Sequence, residues 1–181
     1  MGCIIRGSNI PTNNLPDADD NLSPSIEVIN QQSLDIDIAK LKQVALEIMV
    51  DHACFETEIS IAIVDDPTIH DLNVRYLQHD YETDVLSFPL GRDVATGYVA
   101  GEVIASADTA KRIAKELATS YEDELLLYVI HGLLHLLGYD DKQADNRQKM
   151  RQKERLYMER AGAHYQPPED PESPAVNEAQ A

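Results

Sequence analysis

The 181-residue chain has no tryptophan, two phenylalanines and two cysteines. Cys3 and Cys54 build no disulfide framework, and their spacing fits no cysteine-based zinc motif. With so few large aromatic rings, the sequence displays no aromatic-rich platform on which single-stranded bases would stack. Long apolar runs are also missing. The best of them, "LLLYVIHGLLHLLGY", is too short to span a bilayer and carries two histidines. The N-terminus "MGCIIRGSNIPTNN" lacks the apolar core of a secretion signal, and Arg6 stands where a myristoylation signal requires Ser or Thr. A cytoplasmic protein without a membrane partner is expected. Positive charge is scarce as well: 15 Lys and Arg face 32 Asp and Glu, a net charge of −17 that argues against a generic nucleic-acid binder.

What is present divides the chain into three. Seven of the nine prolines lie at positions 11, 16, 24, 167, 168, 171 and 174 among Asn, Asp, Ser and Glu. Such segments bury too little apolar surface to offset the entropy of ordering them. Residues 1–24 and 164–181 are therefore expected to be disordered tails around one folded domain, 25–163. Inside it, the hydrophobic period predicts strands over 25–31, 58–66, 84–89 (stopped by Pro89) and 101–107. Helices are predicted over 35–53, after an Asp66 cap with Pro67, after an Asp108 cap, over 121–137 behind Ser120, and over 145–161. These elements make an α/β (α+β) single domain, with a small mixed four-stranded sheet packed with about five helices. Strand order cannot be read from the pattern.

The segment "HGLLHLLGYDD" (131–141) carries the chemistry. The helix before it is apolar nearly all round and so belongs in a core. His131 and His135 are one turn apart and share a face. Two adjacent core imidazoles need polar partners. Hydrogen bonds would serve, and a metal ion would satisfy both rings at once. Gly138 then breaks the helix and Asp141 arrives ten residues after His131. Two helical ligands, a glycine turn and a third ligand at that distance also occur in the metzincin proteases, as H-E-x-x-H-x-x-G-x-x-H. Here Gly132 replaces the general-base Glu and Asp141 replaces the third His, so peptide hydrolysis loses its base while a metal site survives.

Residues 131–140 also match every fixed position of H-G-x-L-H-L-x-G-Y-D-H, the signature of the YbeY family. The resemblance extends through "LNVRYLQHDYETDVLSFP" (72–89), "GEVIASADTAKRIAKE" (101–116) and "MRQKE" with Met150 and Glu154. It implies a zincin-like, metal-dependent endoribonuclease that cuts single-stranded RNA. The implied setting is maturation of small-subunit ribosomal RNA and ribosome quality control, with that subunit and its proteins as partners. One Zn²⁺ per chain would be held by His131, His135 and Asp141. Two positions depart from the family pattern. Asp141 stands where the family has a third histidine, which lowers the net charge of the site and opens it to Mn²⁺ or Mg²⁺. Leu77 stands where many members have an arginine. The nearest substitute, Arg75, points about 200° around a helix from it.

His131 and Asp140 are the residues expected to carry catalysis, Asp140 by orienting a histidine or taking a proton, against the plainer role of a solvated turn residue. Whether water or a ribose 2′-hydroxyl attacks stays open. Between Lys142 and Arg160, seven basic residues face only Asp145, Glu154 and Glu159. Arg147, Arg151 and Arg155, four apart on one stripe, are the expected RNA contacts. His52, His70, His79 and His164 read as surface or loop histidines, with His79 on a loop near the metal. Two other functions compete: a non-catalytic, metal-stabilised ribosome-assembly protein, favoured by Asp141 and Leu77, and a zinc metallopeptidase.

Overall fold

The computed structural model describes residues 24–167. The expected tail over 1–24 lies outside them up to residue 23, and that over 164–181 lies outside them from residue 168. The elements run β1 (Ser25–Asn30), α1 (Ile38–Asp51), β2 (Glu56–Val64), α2 (Asp66–Leu77), β3 (Val85–Asp93), β4 (Tyr98–Ser106), α3 (Ala107–Leu117), α4 (Tyr121–Leu136) and α5 (Ala144–Arg160). The four strands form one sheet in the order β1-β2-β4-β3. The pairs β1–β2 and β2–β4 are parallel, and β3–β4 is antiparallel. The expected mixed four-stranded α/β domain is what the chain forms.

Alternation along β2 assigns the layers. Ile59, Ile61 and Ile63 face the main core, together with Leu41, Val44, Ile48 and Met49 of α1 and the apolar surface of α4. Ala62 and Val64 point the other way, onto Ile69 of α2, Leu86 and Ile104. The helix α4 lies in the main core, where Ile130, Leu133 and Leu134 are fully buried. Each such side chain stabilises the fold by about 1.5–3 kcal/mol. Its start is set by Ser120, whose hydroxyl accepts from the Asp123 amide at 3.1 Å, and by Glu122, Asp123 and Glu124 in the first turn against the helix dipole.

Three boundaries differ from the sequence expectation. The strand β3 continues through Pro89 to Asp93. As the edge strand it needs no hydrogen bond from the missing proline N–H on its outer side, and a register shift between Pro89 and Gly91 absorbs the irregularity. The cap of α2 is Asp65, which accepts from the Thr68 amide at 3.0 Å. Asp66 instead accepts from the hydroxyls of Ser106 and Thr109. Ser106, not Asp108, caps α3 by accepting from the Thr109 amide at 3.1 Å. In both helices the adjacent aspartate serves the contact between them: Asp108 accepts from the Asp66 amide at 3.2 Å.

Gly132 marks the closest approach of α4 to the sheet. A Cβ there would stand 2.7 Å from Val103 Cγ1, 3.0 Å from Ser87 Oγ and 3.1 Å from Val85 Cγ2. Ser87 adds a hydrogen bond to the Gly132 carbonyl at 3.1 Å, which registers β3 against the helix. Replacing Gly132 by Ala is expected to lower stability by about 1–3 kcal/mol through overpacking, despite the better helix propensity of Ala. Denaturant unfolding of Gly132→Ala beside the parent chain checks this, and equal midpoints would refute the close packing.

Candidate metal centre

The end of α4 is built as a Schellman motif. Tyr139 N–H donates to the Leu134 carbonyl at 3.0 Å and Gly138 N–H to the His135 carbonyl at 2.9 Å. Gly138 takes φ +85°, the left-handed conformation that glycine adopts without a Cβ clash. This turn presents the Tyr139 carbonyl to His135 Nδ1 at 3.0 Å. The Tyr139 hydroxyl, in turn, pairs with His52 Nε2 at 3.0 Å, which ties the turn to the end of α1. His52 is thus half-buried structure rather than a surface histidine.

The two ligand candidates are oriented by their outer nitrogens. His135 Nδ1 must carry hydrogen, because its partner is a carbonyl. His131 Nδ1 lies 2.7 Å from Glu154 Oε1, a carboxylate on α5 that is 2% exposed, so it too is a donor. In the neutral rings both Nε2 atoms then bear lone pairs, and they face each other at 3.0 Å. That arrangement is repulsive unless a proton or a cation sits between them. Asp141 adds a third donor, its Oδ2 3.9 Å from His131 Nε2, and the three ligand atoms lie within 4.8 Å of one another. Two neutral imidazoles and one carboxylate, with the rings locked by hydrogen bonds behind them, are a donor set that fits a divalent ion.

The electrostatics of the pair are asymmetric. Burial pushes the His131 pKa down, but the hydrogen-bonded charge of Glu154, helped by Asp84 and Asp141, outweighs it and leaves the ring above its ordinary value. Burial and the neighbouring His131 hold His135 below its ordinary value.

Of the residues singled out from sequence, the structure brings His131, His135 and Asp141 together. Asp140 lies beside them, half-exposed, its carboxylate accepting from the Lys142 amide at 3.4 Å, and is not among the clustered ligand atoms. Arg147 braces the ligand turn, donating to the Asp141 carbonyl at 3.0 Å. Arg147, Arg151 and Arg155 line one groove of about 610 Å³ along α5, with Gln148, Gln152 and Tyr165. Arg75 lies 5.6 Å over the ring of Tyr76, and Leu77 is exposed at the end of α2. His79 stacks on Tyr81 with 5.3 Å between ring centroids, His70 pairs with Asp80, and His164 is exposed.

Glu154 escaped assignment to the site from sequence, although a signal was there. It occupies the buried stripe Met150, Glu154, Tyr157 and Met158 of a helix whose other charges face outward. A lone carboxylate on a buried stripe requires a donor, and His131 is that donor. Glu154→Gln is expected to weaken Zn²⁺ binding by about 10–100-fold, the usual cost of losing a partner that orients a metal-ligating histidine. Competition against a zinc chelator measures it, and unchanged affinity would separate Glu154 from the site.

Comparison with known proteins gives this geometry its context. A family described as Endoribonuclease YbeY matches residues 26–162. An Endoribonuclease YbeY from Salinibacter ruber is 40% identical over 132 residues, covering 70% of this chain and 84% of the relative. Another from a Sulfurovum species is 40% identical over 141 residues, covering 76% of this chain and 90% of the relative. The solution structure of a Thermotoga maritima protein is similar with a TM-score of 0.56 and 28% identity, covering 76% of this chain and 89% of that one. With the match spanning the sheet, α4 and its ligand turn, and the whole of α5, the chain belongs to the YbeY endoribonuclease family.

Proposed function

We propose that this protein is a metal-dependent endoribonuclease that cuts single-stranded RNA. Its work is maturation of small-subunit ribosomal RNA and ribosome quality control, in the cytoplasm, with that subunit and its proteins as partners. The observation that carries the reading is the pair of Nε2 lone pairs held 3.0 Å apart beside Asp141. A divalent ion there supplies Lewis acidity at a phosphate and offsets the charge that develops on its oxygens. Zn²⁺ suits the two imidazoles, and the carboxylate of Asp141 widens the choice to Mn²⁺ or Mg²⁺.

The chain's own residues do the rest. His131 and His135 would hold the ion as neutral rings, because Glu154 and the Tyr139 carbonyl keep each hydrogen on Nδ1. To Asp140, half-exposed next to Asp141, this reading gives the task of taking a proton from the attacking hydroxyl. Arg147, Arg151 and Arg155 line the groove in which the RNA backbone runs. A metallopeptidase has no support, since the position of its general base is Gly132, where α4 meets the sheet without room for a side chain. Among the described residues, no helix is long and apolar enough to cross a membrane.

Two measurements test this. His131→Ala is expected to lose bound metal and to cleave an unstructured RNA oligonucleotide at least about 100-fold more slowly, with its circular dichroism unchanged. Cleavage at the parent rate would assign the activity elsewhere and favour a non-catalytic assembly protein. Replacing Arg151 and Arg155 by Gln is expected to weaken RNA binding and to lower the slope of log affinity against log salt by about 0.7 per arginine. A slope identical to the parent's would remove the groove from the RNA path.

A further inference from the structure

Beyond α5 the chain turns at Gly162, φ +64°, and lays Tyr165 back against the main core. The Tyr165 hydroxyl donates to Glu154 Oε2 at 2.9 Å, while Glu154 Oε1 receives His131 Nδ1–H at 2.7 Å. The buried carboxylate therefore has one donor on each oxygen, one from a metal-ligand candidate and one from the C-terminal segment. Tyr165 also lines the arginine groove, and the Arg155 guanidinium lies 5.5 Å over its ring. It falls outside residues 26–162, so the family match assigns it no role. Burial, then the charge of Glu154, raises the phenol pKa, so the hydroxyl stays a donor through the neutral range.

We propose that Tyr165 is a positioning residue for the metal centre: by fixing Glu154 it orients His131, and it links the arginine groove to the ligand set through one chain of hydrogen bonds. The inference rests on His131 being a metal ligand. Removing the phenol oxygen leaves one oxygen of a buried carboxylate without its donor, which loosens the group that holds the imidazole. The ring itself, which packs and carries the Arg155 contact, is kept in Tyr165→Phe.

The test uses the full chain, stripped of metal and titrated with Zn²⁺ against a chelator. Tyr165→Phe is expected to raise the Zn²⁺ Kd by about three- to tenfold, less than Glu154→Gln, which loses the direct partner. The metal-free variant should stay folded under the titration conditions, with an unfolding midpoint lowered by the loss of that donor. Because Tyr165 acts through Glu154, the double variant should bind Zn²⁺ no more weakly than Glu154→Gln alone. Parent-like affinity in Tyr165→Phe, or effects that multiply in the double variant, would overturn the proposal. A parent chain that binds no Zn²⁺ overturns both this proposal and the metal centre. If the parent binds Zn²⁺, Tyr165→Phe weakens it and RNA is left uncut, the positioning role stands and the cleavage reading falls.

Discussion

The structure depends on one unfavourable arrangement being made tolerable: two imidazole lone pairs directed at each other from adjacent turns of a core helix. A fold keeps such a pair only if the rings cannot rotate away and if something positive compensates. Two hydrogen bonds from separate elements supply the first condition, and a third segment adds a ligand. The Schellman turn after α4 aims the Tyr139 carbonyl at His135, α5 brings Glu154 to His131, and the chain beyond the turn delivers Asp141. The second condition is a cation, and the carboxylate of Asp141 makes a cation preferable to a single shared proton.

Rigid ligands require a rigid platform, and Gly132 explains how it is obtained. With no side chain at this position, α4 drops onto β3 and β4, and the Ser87 hydroxyl closes the gap onto the Gly132 carbonyl. The histidines one residue before and three after it are thereby held at a fixed height above the sheet. The same contact decides the chemistry. In a zinc peptidase this position bears the carboxylate that activates water. Here it is used for packing, so proton transfer must come from a group outside the helix.

Much of this was legible in the sequence, for physical reasons. The apolar helix with histidines four apart follows from helical geometry and the stop at Gly138 from backbone conformation, the third ligand Asp141 is read from its spacing in a known three-ligand pattern, and alternation exposed the face of β2. The misjudged positions share a cause: a local rule was applied where a tertiary contact governs. Pro89 ends a central strand but not an edge strand, and Asp66 and Asp108 are good caps yet are recruited to join α2 to α3. Glu154 and Tyr165 act through contacts across 23 and 11 residues, which no local pattern encodes. The order β1-β2-β4-β3 has the same origin, since pairing across the sheet leaves no period in the chain.

The charge distribution gains meaning once it is placed on the fold. A net charge of −17 repels a polyanion at long range, and that repulsion is screened within about 8–10 Å at physiological salt. Arg147, Arg151 and Arg155 of α5 are gathered along one groove, at whose end Arg147 holds the Asp141 carbonyl of the ligand turn. Positive charge is then concentrated on one strip of α5 beside the ligand turn, on a chain that is acidic in total. A chain of an endoribonuclease family can therefore carry a net charge of −17, because beyond the screening length the total charge counts for less than the local arginines of one groove.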